Sequence, residues 1–161
     1  MHEAKTMIEF VGAIVINASP DEVFGFVANI ENYPDWISAV SGAHVAILSQ
    51  GPFGEGTLIR EGPAVMRVFH VRVNQSFELE SIHFNFLARF LLKHGHTLFQ
   101  FEPAGQGTRV TWKAQIESTP LVRPFDHILA GRAHKSVQTG LEKLKTLLEQ
   151  KKGAKSFLAM P

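Results

Sequence analysis

Apolar and polar positions alternate with a period of two over residues 7–17 and again from about residue 39 to residue 118. This period is typical of β-strands with one buried face. It predicts seven strands, separated by turns rich in glycine and proline, at residues 7–17, 39–49, 56–61, 65–73, 77–85, 88–101 and 108–118. Because the links from the second strand onward are of hairpin length, we expect an antiparallel sheet.

Helix signals follow the first predicted strand and the last one. Ser19 is an N-cap, and Glu22 three residues later completes a capping box. Pro34 favours a second, short helical turn soon afterwards. Residues 121–150 repeat their apolar positions every 3.6 residues, which predicts one helix long enough to cross the sheet. The element order predicts an α+β fold, with a curved seven-stranded sheet around a long C-terminal helix.

Length and composition are those of one globular domain. The chain has 161 residues, of which 45% are hydrophobic and 19% are charged. It contains no internal repeat, so we expect a single domain over residues 1–150. Residues 151–161 have no clear period and are expected to form a flexible tail.

Charge and cysteine content exclude several function classes. A formal net charge of +1 argues against a broad nucleic-acid-binding face. The absence of cysteine excludes disulfides, thiolate metal sites and a cysteine nucleophile. His94 and His96 have no third ligand placed by spacing, so no metal or other cofactor is expected. Without a signal sequence or an uncharged run of about 20 residues, we expect a cytoplasmic protein with no membrane span.

Several short motifs resemble one family. They are 17–24 (NASPDEVF), 30–36 (IENYPDW), 54–57 (GEGT), 99–103 (FQFEP), 107–112 (GTRVTW) and 140–145 (GLEKLK). In this order they resemble the START-like, Bet v 1-like (SRPBCC) superfamily, and most closely its polyketide cyclase/dehydrase and lipid-transport group. The resemblance covers roughly residues 7–150. It implies a helix-grip fold with an apolar cavity between the sheet and the long helix.

Strand alternation and the apolar stripe of the long helix nominate residues for this cavity. Alternation along the strands turns Phe69, Phe99 and Phe101 toward the cavity. The same alternation, extended by one or two residues along the strands, places Arg67 and His83 on the concave side. The resemblance places Trp36 near the entrance. The predicted cavity residues are Trp36, Arg67, Phe69, His83, Phe99, Phe101, Asp126, Leu129, Ala133 and Val137.

The polar candidates have alternative interpretations. Asp126 lies early in its helix, where an acid is favoured by the helix dipole. A bulge would reverse the direction of His83, and Arg67 could point to solvent at a sheet margin. Small residues such as Ala133 either allow close packing of the helix or leave room for a ligand.

No motif of a known catalytic chemistry is present. The glycine-rich residues 51–56 open a strand rather than a helix, so they do not form a phosphate loop. We therefore expect binding or carriage of a small hydrophobic molecule, lipid-like or polyketide-like. One alternative is an aromatase/cyclase- or dehydratase-type enzyme in which Arg67, His83 and Asp126 move protons. The other alternative is a protein-interaction module. No oligomeric state is predicted.

Overall fold

The computed structural model describes residues 7–37 and 45–158. Within these residues, seven strands form one antiparallel sheet in the order β1-β7-β6-β5-β4-β3-β2. The strands are β1 (Met7–Ile16), β2 (Val45–Ile47), β3 (Leu58–Glu61), β4 (Ala64–Arg72), β5 (Ser76–Phe84), β6 (Leu92–Ala104) and β7 (Gly107–Ser118). Apart from the pairing of β1 with β7, neighbouring strands are consecutive in the chain. The predicted antiparallel sheet is confirmed.

Short helices follow β1, and a long helix ends the described chain. Helix α1 (Pro20–Ala28) leads through a single 3-10 turn to α2 (Tyr33–Trp36). Ser19 caps α1, and its backbone N–H donates to Glu22 Oε2 at 3.1 Å, as the capping box predicts. The other helices are α3 (Ala88–Leu91) and α4 (Asp126–Leu158).

Helix α4 packs across the concave face of the sheet. Its residues Val137, Leu141, Leu144 and Leu148 are buried in the core. The helix approaches β1 most closely at Gly12, where a Cβ atom would lie 2.6 Å from Val137 Cγ1. This approach requires a residue without a side chain, and it fixes one side of the helix against the sheet. The expected α+β helix-grip architecture is therefore confirmed.

Element boundaries differ from the sequence prediction at three places. Residues 88–91, predicted as the start of a strand, form α3, and Asn85 Oδ1 accepts a hydrogen bond from the Ala88 N–H at 2.9 Å. A short apolar run does not distinguish a strand from a helical turn, whereas this side-chain cap favours the turn. Of the predicted strand 39–49, residues 39–44 lie outside the described residues, and β2 covers only Val45–Ile47. The long helix, predicted over residues 121–150, begins at Asp126 after a 3-10 turn at Arg123–Phe125 and continues to Leu158.

Candidate ligand-binding cavity

A cavity of about 330 Å³ lies between the concave face of the sheet and the first half of α4. It is nearer to one end of the sheet, where Ala64 pairs with both Glu61 and Phe84. Most of its wall is apolar, formed by Phe10, Ile37, Pro63, Ala64, Met66, Leu79, Phe84, Leu92, Phe99, Trp112, Ala114, Ile116, Ala133 and Val137. Glu61, Ser81, Gly95, His96, Thr97, Gln115 and Ser136 complete it. Space of this size and character accommodates a small hydrophobic molecule.

Helix α4 contributes one wall through small side chains. Ala133, Ser136 and Val137 border the cavity, whereas the adjacent His134 is exposed on the other side of the helix. Gly140, farther along, is buried, and its neighbour Leu141 packs so closely against β1 that a Cβ atom on Gly12 would lie 3.0 Å from Leu141 Cδ1. Both interpretations of the small residues therefore apply, each to a different part of α4. Ala133 leaves space beside the sheet, and Gly140 lies where the helix packs tightly.

An aromatic cluster closes the inner end of the cavity. The ring centroid of Phe99 lies 5.1 Å from that of Trp112, and both side chains border the cavity. Trp36 is fully buried behind them, with its ring 5.9 Å from Phe99 and 5.7 Å from Trp112. Tyr33 packs against Trp36 at 5.5 Å. Trp36 meets these three rings edge to face, and the Phe99 and Trp112 rings are tilted by 35° to each other. Together the four rings form an apolar floor.

Glu61 is the one acidic side chain in the described part of the cavity wall. It is the last residue of β3, immediately before the turn that leads into β4. Burial raises the pKa of its carboxyl, because the low-dielectric surroundings disfavour the charged form. The pKa of Tyr33 is raised as well, first by burial and then by the negative charge of Glu61. The cavity thus contains a carboxyl that holds its proton more strongly than a solvated glutamate does.

Sequence reasoning missed Glu61, although a signal for it was present. Ile59 lies two residues earlier in β3 and is buried. Successive residues of a strand point to opposite faces, so Ile59 and Glu61 share the concave side. Glu61 could therefore have been identified from the sequence as an acid on the buried face of its strand.

The structure places Arg67 and Phe69 on the outer face of the sheet, which corrects the sequence prediction. The Arg67 guanidinium pairs with the carboxylate of Glu80. Phe69 pairs with Glu78 as Arg67 pairs with Glu80, and the intervening Val68 is fully buried, so Arg67 and Phe69 share the face opposite to the core. The cause is a bulge between Phe69 and Arg72. The sequence prediction carries the inward direction of Val71 back across this bulge to Phe69 and Arg67, and the bulge reverses that direction.

A second bulge places His83 outside the cavity. Val65 pairs with His83 and Met66 pairs with Ser81, so that Ile82 is the extra residue in β5. Consequently Ser81 and Phe84 border the cavity, whereas His83 is exposed. This corrects the prediction for His83 and matches the alternative that a bulge reverses its direction.

The other predicted residues fall into three groups. Phe99, Ala133 and Val137 border the cavity, and Trp36 and Phe101 lie in the adjacent core. Trp36 is fully buried there, so the expectation that it lies near the entrance is wrong. Asp126 and Leu129 are half-buried, and neither belongs to the described wall. Asp126 is the first residue of α4, and its Oδ1 accepts a hydrogen bond from Ser118 Oγ at 2.9 Å. This position agrees with the alternative role of an acid at a helix N-terminus.

Metal-ligating side chains do not cluster in residues 7–37 and 45–158. No helix in the same ranges is long and apolar enough to cross a membrane.

Comparison with known proteins identifies the group of proteins to which this architecture is similar. The family model described as "Polyketide cyclase / dehydrase and lipid transport" matches residues 7–149. Among curated proteins, no sequence match is found.

Solved structures with low sequence identity share the fold. TTHA0849 from Thermus thermophilus has a TM-score of 0.71 at 16% identity, covering 88% of this chain and 97% of that one. The Zhui aromatase/cyclase from a Streptomyces species has a TM-score of 0.72 at 11% identity, with coverages of 90% and 95%. A START superfamily protein from Mycobacterium smegmatis has a TM-score of 0.66 at 16% identity, with coverages of 88% and 97%. At these identities the likeness shows the fold alone.

Proposed function

The chain belongs to the polyketide cyclase / dehydrase and lipid transport family, and from this premise we propose that it binds or carries a small hydrophobic molecule in the cavity beneath α4. The observation that carries the proposal is the cavity of about 330 Å³ with its mainly apolar wall. A lipid-like or polyketide-like molecule has the chemistry that such a wall accommodates.

The size of the cavity supports this proposal physically. Protein interiors are packed as densely as organic crystals, and they contain few voids larger than a water molecule. Empty apolar space deprives the surrounding side chains of dispersion contacts, so a cavity of this size lowers stability unless it is occupied. A bound apolar molecule restores those contacts and stabilises the folded protein.

Glu61 supplies a polar contact for one end of the ligand. A carboxyl whose pKa is raised by burial spends more of its time protonated, and in that form it donates a hydrogen bond to a carbonyl or hydroxyl oxygen. Ser81 and Thr97 add further polar groups to the wall. The proposed ligand is therefore mostly apolar, with one oxygen-bearing group placed toward Glu61.

The same carboxyl favours a second candidate function, an aromatase/cyclase- or dehydratase-type enzyme. Removal of water from an apolar substrate requires a group that gives or takes a proton inside a largely water-free site. Glu61 fits this role, whereas Arg67 and His83 lie outside the cavity. We rank the enzyme second because the described wall contains a single ionisable carboxyl, without a paired acid.

Titration with a neutral apolar fluorophore, N-phenylnaphthylamine, tests binding. Ala133→Trp places an indole in the cavity, and we expect it to weaken probe binding by about tenfold or more. His134→Trp introduces the same side chain on the exposed side of the same helix and is expected to bind as the wild type does. Equal probe affinity in the two variants would show that the probe does not occupy this cavity.

Comparison of the small molecules recovered from the wild type and from Glu61→Gln distinguishes carriage from catalysis. A carrier yields the same compound from both proteins. An enzyme yields unconverted substrate from the variant, which for a dehydratase is heavier than the wild-type product by one water molecule. Two properties stay predictions, namely a cytoplasmic location and the lack of a nucleic-acid partner. The absence of cysteine and the net charge of +1 support them.

A further inference from the structure

A group of exposed, large apolar side chains lies beside the cavity. The connection between β5 and β6 presents Phe86, Leu87, Phe90 and Leu91, and the connection between β7 and α4 presents Leu121 and Phe125. Their exposed fractions range from 46% to 73%. We call these six residues the apolar patch. Large exposed apolar groups of this kind are uncommon on monomeric proteins and mark contact surfaces.

The two connections are joined to each other. The Thr119 backbone N–H donates to the Leu91 carbonyl oxygen at 2.9 Å, and Thr119 Oγ1 donates to the Phe90 carbonyl oxygen at 2.6 Å. Phe86 and Phe90 are in edge contact, with ring centroids 5.1 Å apart. The patch is therefore one surface supported by hydrogen bonds.

Cationic side chains accompany the patch. The Arg89 guanidinium lies 4.7 Å from the centre of the Phe86 ring. Residues 82–95 contain Arg89 and Lys93 and no acid, although Lys93 is within 3.9 Å of Glu117 and is partly neutralised by it. On α4, the exposed Ile128 follows Phe125 of the patch by three residues, and the exposed Arg132 lies one helical turn after Ile128. Apolar side chains flanked by arginine complement a surface that is apolar inside and anionic outside.

The patch is also continuous with the cavity wall. Phe84 and Leu92 border the cavity, and they flank the connection that contains Phe86 and Leu87. Ile116 borders the cavity too, shortly before the connection that contains Leu121. One end of the cavity lies where β5, β6 and β7 join the two connections that carry the patch. A molecule bound to the patch is therefore next to that end of the cavity.

We propose that the apolar patch docks the protein on the surface of an anionic lipid bilayer. Phe86, Leu87, Phe90 and Leu121 enter the boundary between headgroups and acyl chains, while Arg89 and Arg132 contact lipid phosphates. The protein lies on the membrane without crossing it. This inference extends the proposed function by naming a surface with which the cavity exchanges its ligand, but the docking itself requires no ligand.

Flotation of the full chain with vesicles tests the docking. We use vesicles of phosphatidylcholine alone and of phosphatidylcholine mixed with an equal amount of phosphatidylglycerol. Binding is expected to the mixed vesicles and to weaken as salt is added, because salt screens the arginine contacts. Leu87→Glu should reduce this binding about tenfold or more, and Arg89→Gln about fivefold. Val73→Glu is the matched control, because Val73 is 69% exposed, against 73% for Leu87, and lies in the turn between β4 and β5.

Three results would overturn the proposal. The first is no binding to the mixed vesicles, and the second is equal loss of binding in Leu87→Glu and Val73→Glu. The third is a wild-type protein that self-associates and does not bind vesicles, whereas the Leu87→Glu variant is monomeric. That result would make the patch an interface between copies of the chain. Ala133→Trp, which fills the cavity, should still bind vesicles. Leu87→Glu therefore tests membrane docking and Ala133→Trp tests ligand binding, so that failure of one proposal is distinguishable from failure of the other.

Discussion

Replacing Ala133 with leucine tests the cavity through the free energy of unfolding. Ala133 borders the cavity from α4, so the added carbon atoms enter space that protein atoms do not fill. Three additional carbons at about 0.8 kcal/mol each set an upper limit of about 2.4 kcal/mol of stabilisation. Alanine and leucine have similar helix propensities, which leaves this estimate nearly unchanged. We expect a change between about 0 and 2 kcal/mol in the stabilising direction.

Gly12→Ala is the matched control in the closely packed part of the same helix–sheet contact. A Cβ atom at this position would lie 2.6 Å from Val137 Cγ1 and 3.0 Å from Leu141 Cδ1. Valine has little rotamer freedom in a helix, so it cannot turn aside at low cost. Overpacking of this kind destabilises a protein by about 1–3 kcal/mol.

Urea unfolding, followed by the fluorescence of the buried Trp36 and Trp112, measures both changes. The expected order of stability is Ala133→Leu at or above the wild type and Gly12→Ala below it. A loss of more than about 1 kcal/mol in Ala133→Leu would refute the reasoning, because a well-packed site loses stability when it is overfilled.

Three further predictions concern single side chains. Burial raises the pKa of Glu61 above its ordinary value of 4.5, so folding stability should fall as pH rises from that value through the raised pKa. Glu61→Gln should remove this fall in urea midpoints measured across pH, and an unchanged dependence would contradict the burial of the carboxyl. Arg67→Ala and His83→Phe should leave the affinity for N-phenylnaphthylamine within about twofold of the wild type, since both residues lie outside the cavity, and a large loss in either titration would place that residue in the site. Thr108→Val removes the hydrogen bond from Thr108 Oγ1 to the Ala18 carbonyl at 2.7 Å and should lower thermal stability by about 1–3 kcal/mol, whereas Thr108→Ser should retain most of it.

The sequence was sufficient for the fold because its local signals agree with one another. The capping box at Ser19, the turns between strands and the change of period near residue 120 each mark an element that the structure contains. Residues 88–91 were assigned wrongly because their apolar side chains suit a strand and a helical turn equally well. The side-chain cap from Asn85 decided between the two.

The candidate site was less predictable because its position depends on strand register. Arg67, Phe69 and His83 were assigned by extending alternation through two bulges, and each bulge reverses the direction of the residues beyond it. His70, at the first bulge, has a backbone φ of 49°, a conformation that no feature of its sequence indicates. Glu61 lies on an unbulged strand, so the same alternation rule would have placed it correctly.

Native mass spectrometry of the full chain, purified without detergent or organic solvent, tests the central claim most directly. We expect the wild type to carry a mass excess equal to one small apolar molecule. His134→Trp should retain the excess, and Ala133→Trp should lose it because its indole occupies the cavity. A wild type at its bare mass that also fails to bind N-phenylnaphthylamine would contradict the account, as would the same mass excess in Ala133→Trp and in the wild type.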